Sequence, residues 1–270
     1  MRLGIGSYTF AWAIGVPGKL PPKPMRPSDL VDAASRLGVR TVQFCDNLPL
    51  LRLSEPQLTA LHKRVLELGL EVELGARGLA QDNLRAHLRL AQRFGCRFLR
   101  LVIDTPGDEP SAEEAVARLK LILPEFDAAG VLLAIENHDR FRSALLAWMV
   151  EQLGRERVGI CLDTVNSFGA LEGPEVVVQN LGALTLCLHV KDFTIRRMSH
   201  QMGFVVEGCP AGQGRLNVPW LLGALKTCPR PFNAILETWV TPGDSLHETI
   251  ARESAWADEG VRYLRGLIRD

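Results

Sequence analysis

The sequence predicts a single α/β domain, residues 1–270, in which eight strands and eight helices alternate and close into a (β/α)8 barrel. Three observations predict it. Short apolar runs recur eight times, about 33 residues apart, which is the size of one βα unit. Several of them, such as LLAI, VGICL and TLCL, are apolar at consecutive positions, as parallel strands covered on both faces require. No GxGxxG follows the first run, so the main signature of an open doubly wound sheet is missing.

The predicted strands are 3–10, 41–45, 71–76, 98–103, 132–137, 158–163, 185–192 and 234–239. Helical periodicity fills the gaps between them. Leu58, Leu61, Val65 and Leu68 fall on one helix face behind a capping box of Ser54 and Gln57. Ser111 and Glu114 form a second box ahead of Val116, Leu119 and Leu123. Gly38, Gly69, Gly95 and Gly130 each stand between a helical pattern and the next strand, where a left-handed residue turns the chain back. Two βα segments, 11–27 and 193–216, are long and rich in Gly, Pro and basic side chains. Long βα loops sit at the catalytic face of a barrel, so both are expected to act as lids.

Composition narrows the function classes. With 31 basic and 31 acidic residues the chain lacks the cationic excess that drives general nucleic-acid binding, so no nucleic-acid partner is expected. Small polar molecules are the expected ligands. Six cysteines, at 45, 96, 161, 187, 209 and 228, contain no CxxC pair and are expected as reduced core residues of a cytoplasmic protein. The chain opens directly on a strand pattern, and no apolar stretch approaches membrane-spanning length, so neither secretion nor a membrane is expected.

Four side chains carry the chemistry. Glu136 in AIENH, Asp163 in CLDTVN, His189 in CLHVKD and Glu237 in ILETW each end one of the last four strands. One such carboxylate would be unremarked, because Asp and Glu often cap the helix that follows. Four in register at the C-terminal mouth of a barrel are expensive to desolvate unless a cation binds them. Three carboxylates with one imidazole suit one hard divalent metal: Mn²⁺ is expected, with Mg²⁺ and Co²⁺ as alternatives. His138 and Lys191 lie two residues beyond Glu136 and His189, so continued strand alternation would turn them into the site as catalytic proton donors. Asp192 is expected to pair with a neighbouring cation. Arg100, Arg196 and Arg197 offer charge for a carboxylate or phosphate on the substrate. Trp12, Phe44, Phe193, Phe204 and Trp239 fall at or after strand ends and are candidates for the wall of a sugar-sized pocket.

The segments AIENHDRF, GICLDTVNS, LHVKDF and GQGRLNVPWLL together resemble the xylose isomerase-like superfamily of TIM barrels. That superfamily gathers sugar and sugar-phosphate isomerases and epimerases, dehydratases and a DNA endonuclease branch. The resemblance spans essentially the whole chain. It implies that Glu136, Asp163, His189 and Glu237 ligate one divalent metal, whose shell a substrate carbonyl and hydroxyl complete. It further implies that Glu136 or Glu237 moves the proton, and that the protein is a homodimer. The first expectation is therefore a metal-dependent isomerase or epimerase of a ketose, sugar phosphate or sugar acid, working through a metal-stabilised enolate. A lyase is the alternative. The ENH and HVK pair resembles dehydratases of dehydroshikimate or inosose, and DTVNSFGALEGPEVVV with HQMGFVVEGCPAGQG resembles a subgroup that decarboxylates a branched 3-oxo sugar acid. A barrel that only binds sugar or metal is the third reading. Two departures bear on the choice: ketose 3-epimerases carry histidine where this chain has Asn166, counted here among the substrate-binding residues, and glutamate where it has Arg142. His62 and His87 fall in helical patterns, which argues against the trinuclear zinc cluster of the endonuclease branch.

Overall fold

Strand-forming and helix-forming stretches alternate along the chain of the computed structural model, which describes residues 1–269. The strands are β1 (Leu3–Gly6), β2 (Thr41–Phe44), β3 (Glu71–Arg77), β4 (Phe98–Val102), β5 (Leu132–Glu136), β6 (Val158–Asp163), β7 (Thr185–Val190), β8 (Asp192–Arg197), β9 (Phe204–Cys209) and β10 (Asn233–Leu236). Eight of them close a parallel barrel in the order β1-β10-β7-β6-β5-β4-β3-β2. The remaining two, β8 and β9, pair with each other antiparallel. The expected (β/α)8 barrel is therefore the observed fold.

Helices α1 (Ala11–Ile14), α2 (Pro27–Leu37), α3 (Glu55–Glu67), α4 (Gln81–Phe94), α5 (Ala112–Ala129), α6 (Ser143–Leu153), α7 (Pro174–Leu181), α8 (Val218–Ala224) and α9 (Leu246–Arg265) follow the strands. Both predicted capping boxes form. The Ser54 N–H donates to Gln57 Oε1 at 2.9 Å, and the Ser111 N–H donates to Glu114 Oε2 at 2.8 Å. The four predicted reversal glycines, 38, 69, 95 and 130, take φ of 69°, 62°, 65° and 67°, the left-handed region where a side chain would be strained.

The first and last predicted runs overshoot their strands. After Gly6 the chain leaves the ladder because Thr9 Oγ1 accepts the Gly6 N–H at 2.9 Å and closes a 3-10 turn over Ser7–Phe10. The expectation of loops also needs revision. Segment 193–216 is largely the β8–β9 ribbon, and segment 11–27 begins as α1, whose Trp12 and Ala13 N–H groups donate to the Glu253 carboxylate at 2.8 and 3.0 Å.

The main core lies between the barrel and its helices, with Leu30, Leu84, Leu119 and Ile122 fully buried. A second apolar layer of Phe98, Ala134, Cys161, Leu186, Cys187 and Ile235 forms another closed cluster. All six cysteines are free, and those at 45, 96, 161 and 187 are buried, which agrees with their reading as small core residues. No helix among the described residues is long and apolar enough to cross a membrane.

Candidate active site

Strand alternation decides which side chains enter the barrel. On β5, β6, β7 and past the end of β10 the inward pairs are Ala134 and Glu136, Cys161 and Asp163, Cys187 and His189, Ile235 and Glu237. The first member of each pair belongs to the apolar layer, and the second is polar and at most 3% exposed. On these four strands a charged ring thus rests one strand step above an apolar layer.

The ring converges on one point. His189 Nδ1 lies 3.3 Å from Glu237 Oε1, 3.5 Å from Glu136 Oε2 and 3.6 Å from Asp163 Oδ2. Nδ1, Asp163 Oδ2 and Glu237 Oε1 are all buried with no hydrogen-bond partner among the described residues. Buried polar atoms are rarely left unpaired; Glu136, Asp163 and His189 offer ligand atoms within 4.8 Å of one another, Glu237 Oε1 adjoins the same imidazole nitrogen, and the group fits a divalent ion. The donor set, rich in oxygen with one imidazole, is the hard set expected.

Lys191 stands over this cluster. Its Nζ is 2.8 Å from Glu237 Oε2 and 2.9 Å from Asp163 Oδ2, and it donates to Asn166 Oδ1 at 3.2 Å. Asp163 Oδ2 is thus ion-paired with the Lys191 ammonium. Burial alone would raise the Asp163 carboxyl, but Lys191 foremost and His189 with it hold it below the usual carboxylate range. Burial would likewise lower the Lys191 ammonium, and Asp163 and Glu237 instead hold it well above its usual value. The alternation argument therefore places Lys191 correctly.

It fails for His138. Strand β5 stops at Glu136, Asp139 takes φ of 41°, and His138 Nδ1 sits 3.0 Å from Asp139 Oδ2 with no bond to the ring among the described residues. Arg100 is buried as its apolar surroundings implied, yet it is not an open anion receptor. Its Nε donates to Glu136 Oε2 and its Nη1 to Asp46 Oδ1 at 3.0 Å, so its charge is already matched. Burial raises Glu136, and Arg100 followed by His189 outweighs that and lowers it. Asn166 donates to the other Glu136 oxygen, Oε1, at 2.8 Å.

The loop arginines and Trp12 also differ from expectation. Ile195 and Val206 pair across the ribbon and line the cavity, so Arg196, one step along, faces away and pairs with Glu207 at 3.0 Å. Arg197 is on the cavity face but farther out, its guanidinium carbon 4.5 Å from the centre of the Phe204 ring. Trp12 donates its indole N–H to the Val240 carbonyl at 2.9 Å and does not line the main cavity. Asp192 pairs with no cation among the described residues: it accepts the backbone N–H groups of Phe193, Gly212, Gly214 and Leu216 at 2.8–3.0 Å. This clasp explains part of GQGRL, because a Cβ on Gly214 would stand 2.1 Å from Asp192 Oδ1.

A cavity of about 600 Å³ opens beside Lys191 and Asn166, walled by Val165, Phe168, Ile195, Val206 and Trp239. Of the aromatics expected there, only Trp239 lines it. Other site residues escaped the sequence reading. Asn137 ties β5 to β6, accepting the Asp163 N–H at 2.7 Å and donating to the Asp163 carbonyl at 2.9 Å. Asp46, directly after the second apolar run, bridges Arg100 and Arg77. Gln43 and Glu73 lie inside the barrel, where a polar residue within an apolar run was the available signal.

The family model described as xylose isomerase-like TIM barrel matches residues 31–267. The chain is 31% identical over 264 residues to 3-oxo-isoapionate decarboxylase of Pectobacterium atrosepticum, covering 98% of this chain and 95% of that one. Among solved structures, a D-psicose 3-epimerase crystallised in the presence of D-fructose aligns with a TM-score of 0.73 at 14% identity, over 98% of each chain. A xylose isomerase-like TIM barrel protein from Mycobacterium smegmatis in complex with magnesium aligns with a TM-score of 0.66 at 13% identity, over 88% of each chain. At such identities the two structures speak for the fold.

Proposed function

The chain belongs to the xylose isomerase-like TIM barrel family, and from that footing we propose that it is a divalent-metal-dependent lyase that decarboxylates a 3-oxo sugar acid. The observation that carries this choice over an isomerase or epimerase is how the two flanking glutamates are held. Glu136 has Arg100 on one oxygen and Asn166 on the other, and Glu237 has Lys191 at 2.8 Å. Glu136, which Arg100 holds below its usual value, is a poor base for pulling a proton from carbon, and the Glu237 oxygen that faces Lys191 is already occupied by that ammonium. Decarboxylation does not ask for that base.

In a 3-oxo acid the bond between the carboxyl carbon and C2 breaks, its electron pair ends on the ketone oxygen, and carbon dioxide leaves. C2 then takes back one proton. A divalent ion held by Glu136, Asp163, His189 and Glu237, with Mn²⁺ the proposed species, would supply positive charge beside that oxygen. Lys191, at the boundary between the ring and the cavity, is positioned by Asn166 and returns the proton. The apolar wall of Val165, Phe168, Ile195, Val206 and Trp239 favours the neutral product, since an ionised carboxylate loses more by leaving water than carbon dioxide does. The near full-length relationship to a protein named as a 3-oxo-isoapionate decarboxylase supports the same reading.

The test is a mass-spectrometric screen of 3-oxo sugar acids and ketoses with Mn²⁺ in deuterated solvent. Release of carbon dioxide with one solvent deuteron in the product is expected from an oxo acid. Exchange of a ketose α-hydrogen without mass loss would return the protein to the isomerases.

A further inference from the structure

Below the ring, buried polar side chains from four strands form a hydrogen-bonded chain whose donors point from both ends toward Glu73. It starts at the far end of the barrel, where the Arg2 backbone N–H donates to Asn233 Oδ1 at 3.1 Å. A backbone N–H can only donate, so the Asn233 amide is oriented and its Nδ2 donates to Glu73 Oε1 at 3.0 Å. The second Glu73 oxygen, Oε2, accepts from Gln43 Nε2 at 3.0 Å. That bond turns Gln43 Oε1 toward His189, whose Nε2 lies 2.9 Å away. The Cys45 thiol, 3.2 Å from Gln43 Oε1, also donates to it. An oxygen at that end accepts only from a ring nitrogen that carries hydrogen.

We propose that Gln43 and Glu73 are positioning residues that fix which nitrogen of His189 faces the carboxylates, keeping hydrogen on Nε2 and presenting Nδ1 to the cation. The inference rests on the metal reading given under the proposed function. A reversed Gln43 amide would aim N–H at Nε2, force the ring hydrogen onto Nδ1 and close the donor atom. Glu73 prevents the reversal by accepting from the Gln43 amino group, and Asn233 holds Glu73. Outer partners of this kind orient a metal-binding imidazole, and losing them typically costs about 10–100-fold in metal affinity.

Two variants of the full-length protein separate orientation from packing. Gln43→Leu keeps the volume and removes the acceptor. The double variant Gln43→Glu/Glu73→Gln exchanges the two groups and keeps the chain paired: residue 73 still accepts from Asn233 and now donates to residue 43, which still accepts from His189, while the Cys187 thiol, which donates to Glu73 Oε2 and accepts from Gln43 Nε2, turns its hydrogen to residue 43. Calorimetric titration of chelator-treated protein with Mn²⁺ should show binding weakened about 10–100-fold in the Gln43→Leu variant and restored to within about threefold of the starting protein in the exchanged variant. Circular dichroism checks that both are folded. In ¹⁵N-labelled metal-free protein, a slowly exchanging His189 Nε2–H proton is expected with the native pair and with the exchanged pair, and is expected to be lost in Gln43→Leu. A Gln43→Leu variant that binds Mn²⁺ as tightly as the starting protein, or an exchanged pair that binds no better than Gln43→Leu, overturns the proposal. Starting protein that shows the Nε2–H proton and takes up no Mn²⁺ overturns the metal reading instead, and the response of that proton to Gln43→Leu still decides the chain.

Discussion

Glu237→Gln tests the donor ring with the smallest change of shape. Glutamine fills the same space and still accepts from Lys191, but the ring loses one negative charge. Three carboxylates against Lys191 and Arg100 leave one net negative charge for the ion to meet, and the variant leaves none. A unit charge about 4 Å from another is worth about 4 kcal/mol at an effective dielectric near 20, and a divalent ion doubles it. Desolvation returns much of that, yet a remaining third, about 2.7 kcal/mol, is a hundredfold in Kd. At an Mn²⁺ concentration a hundred times its Kd, the unchanged protein gains about 2.7 kcal/mol of stability. For a chain of this size that raises Tm by roughly 5–10 °C. At the same concentration the variant sits near its own Kd, gains about 0.4 kcal/mol and shifts by less than about 2 °C. The assay is differential scanning fluorimetry of chelator-treated protein titrated with Mn²⁺, run beside carbon dioxide release. If Glu237→Gln keeps the full Mn²⁺-dependent shift, these side chains do not hold the ion and the proposed chemistry loses its centre.

The other expectations use different handles. Lys191→Met should retain an Mn²⁺-dependent Tm shift while carbon dioxide release falls about 10²–10⁴-fold, the usual loss for a removed proton donor; retained turnover would take Lys191 out of the mechanism. Arg100→Met leaves Glu136 and Asp46 without their shared cation and should cost about 3–5 kcal/mol in urea unfolding, whereas a loss under about 1 kcal/mol would mean that the pair is solvated. Glu253, pushed up to about 7 by burial that outweighs two backbone N–H donors, links stability to pH. Its folded value lies above the unfolded one, so its contribution to stability is full below pH about 4.5 and is lost, by about 3 kcal/mol, as pH rises through 7. Tm measured from pH 4.5 to 8 should lose that slope in Glu253→Gln, and a slope that persists assigns it elsewhere. Arg196→Ala, which removes an exposed pair on the outer ribbon face, should change stability by less than about 1 kcal/mol and leave turnover unchanged; a marked rise in KM would make Arg196 a substrate residue after all.

The barrel was legible because its signals are local and repeated. Each barrel strand is an apolar run, the four reversals before β2, β3, β4 and β5 each carry a glycine at positive φ, and two helices carry a capping box within four residues. What the pattern missed were places where pairing is one-sided. In β8 and β9 one face looks into the cavity and the other into solvent, so DFTIRR alternates and FVVEGC is apolar only over its first three residues, and the Gly- and Pro-rich flanks gave the whole segment the composition of a loop. The strand ends were blurred for a different reason: the chain stays buried past Gly6 and Leu236, while the ladder has already ended.

The four ring residues were legible for the same cause, since each is a charged group closing an apolar run. Their partners were not, because partnership is set by register. Arg100 lies beside Ala134 in the β4–β5 ladder, which puts Glu136 one inward step above it; the sequence shows a cation inside an apolar run but not the carboxylate that the next strand delivers. His138 shows how far local reasoning reaches: alternation carries one residue past a strand's end, as at Lys191 and Glu237, but His138 lies two residues beyond β5, beside the left-handed turn at Asp139. Gln43 is the harder case. It meets His189 across 146 residues of sequence, and nothing near either residue announces the other until closure of the barrel brings β2 opposite β7. Substitutions chosen from strand-end motifs would therefore find the donors of the ring and pass over the groups that orient them, which lie a step below in positions resembling ordinary core.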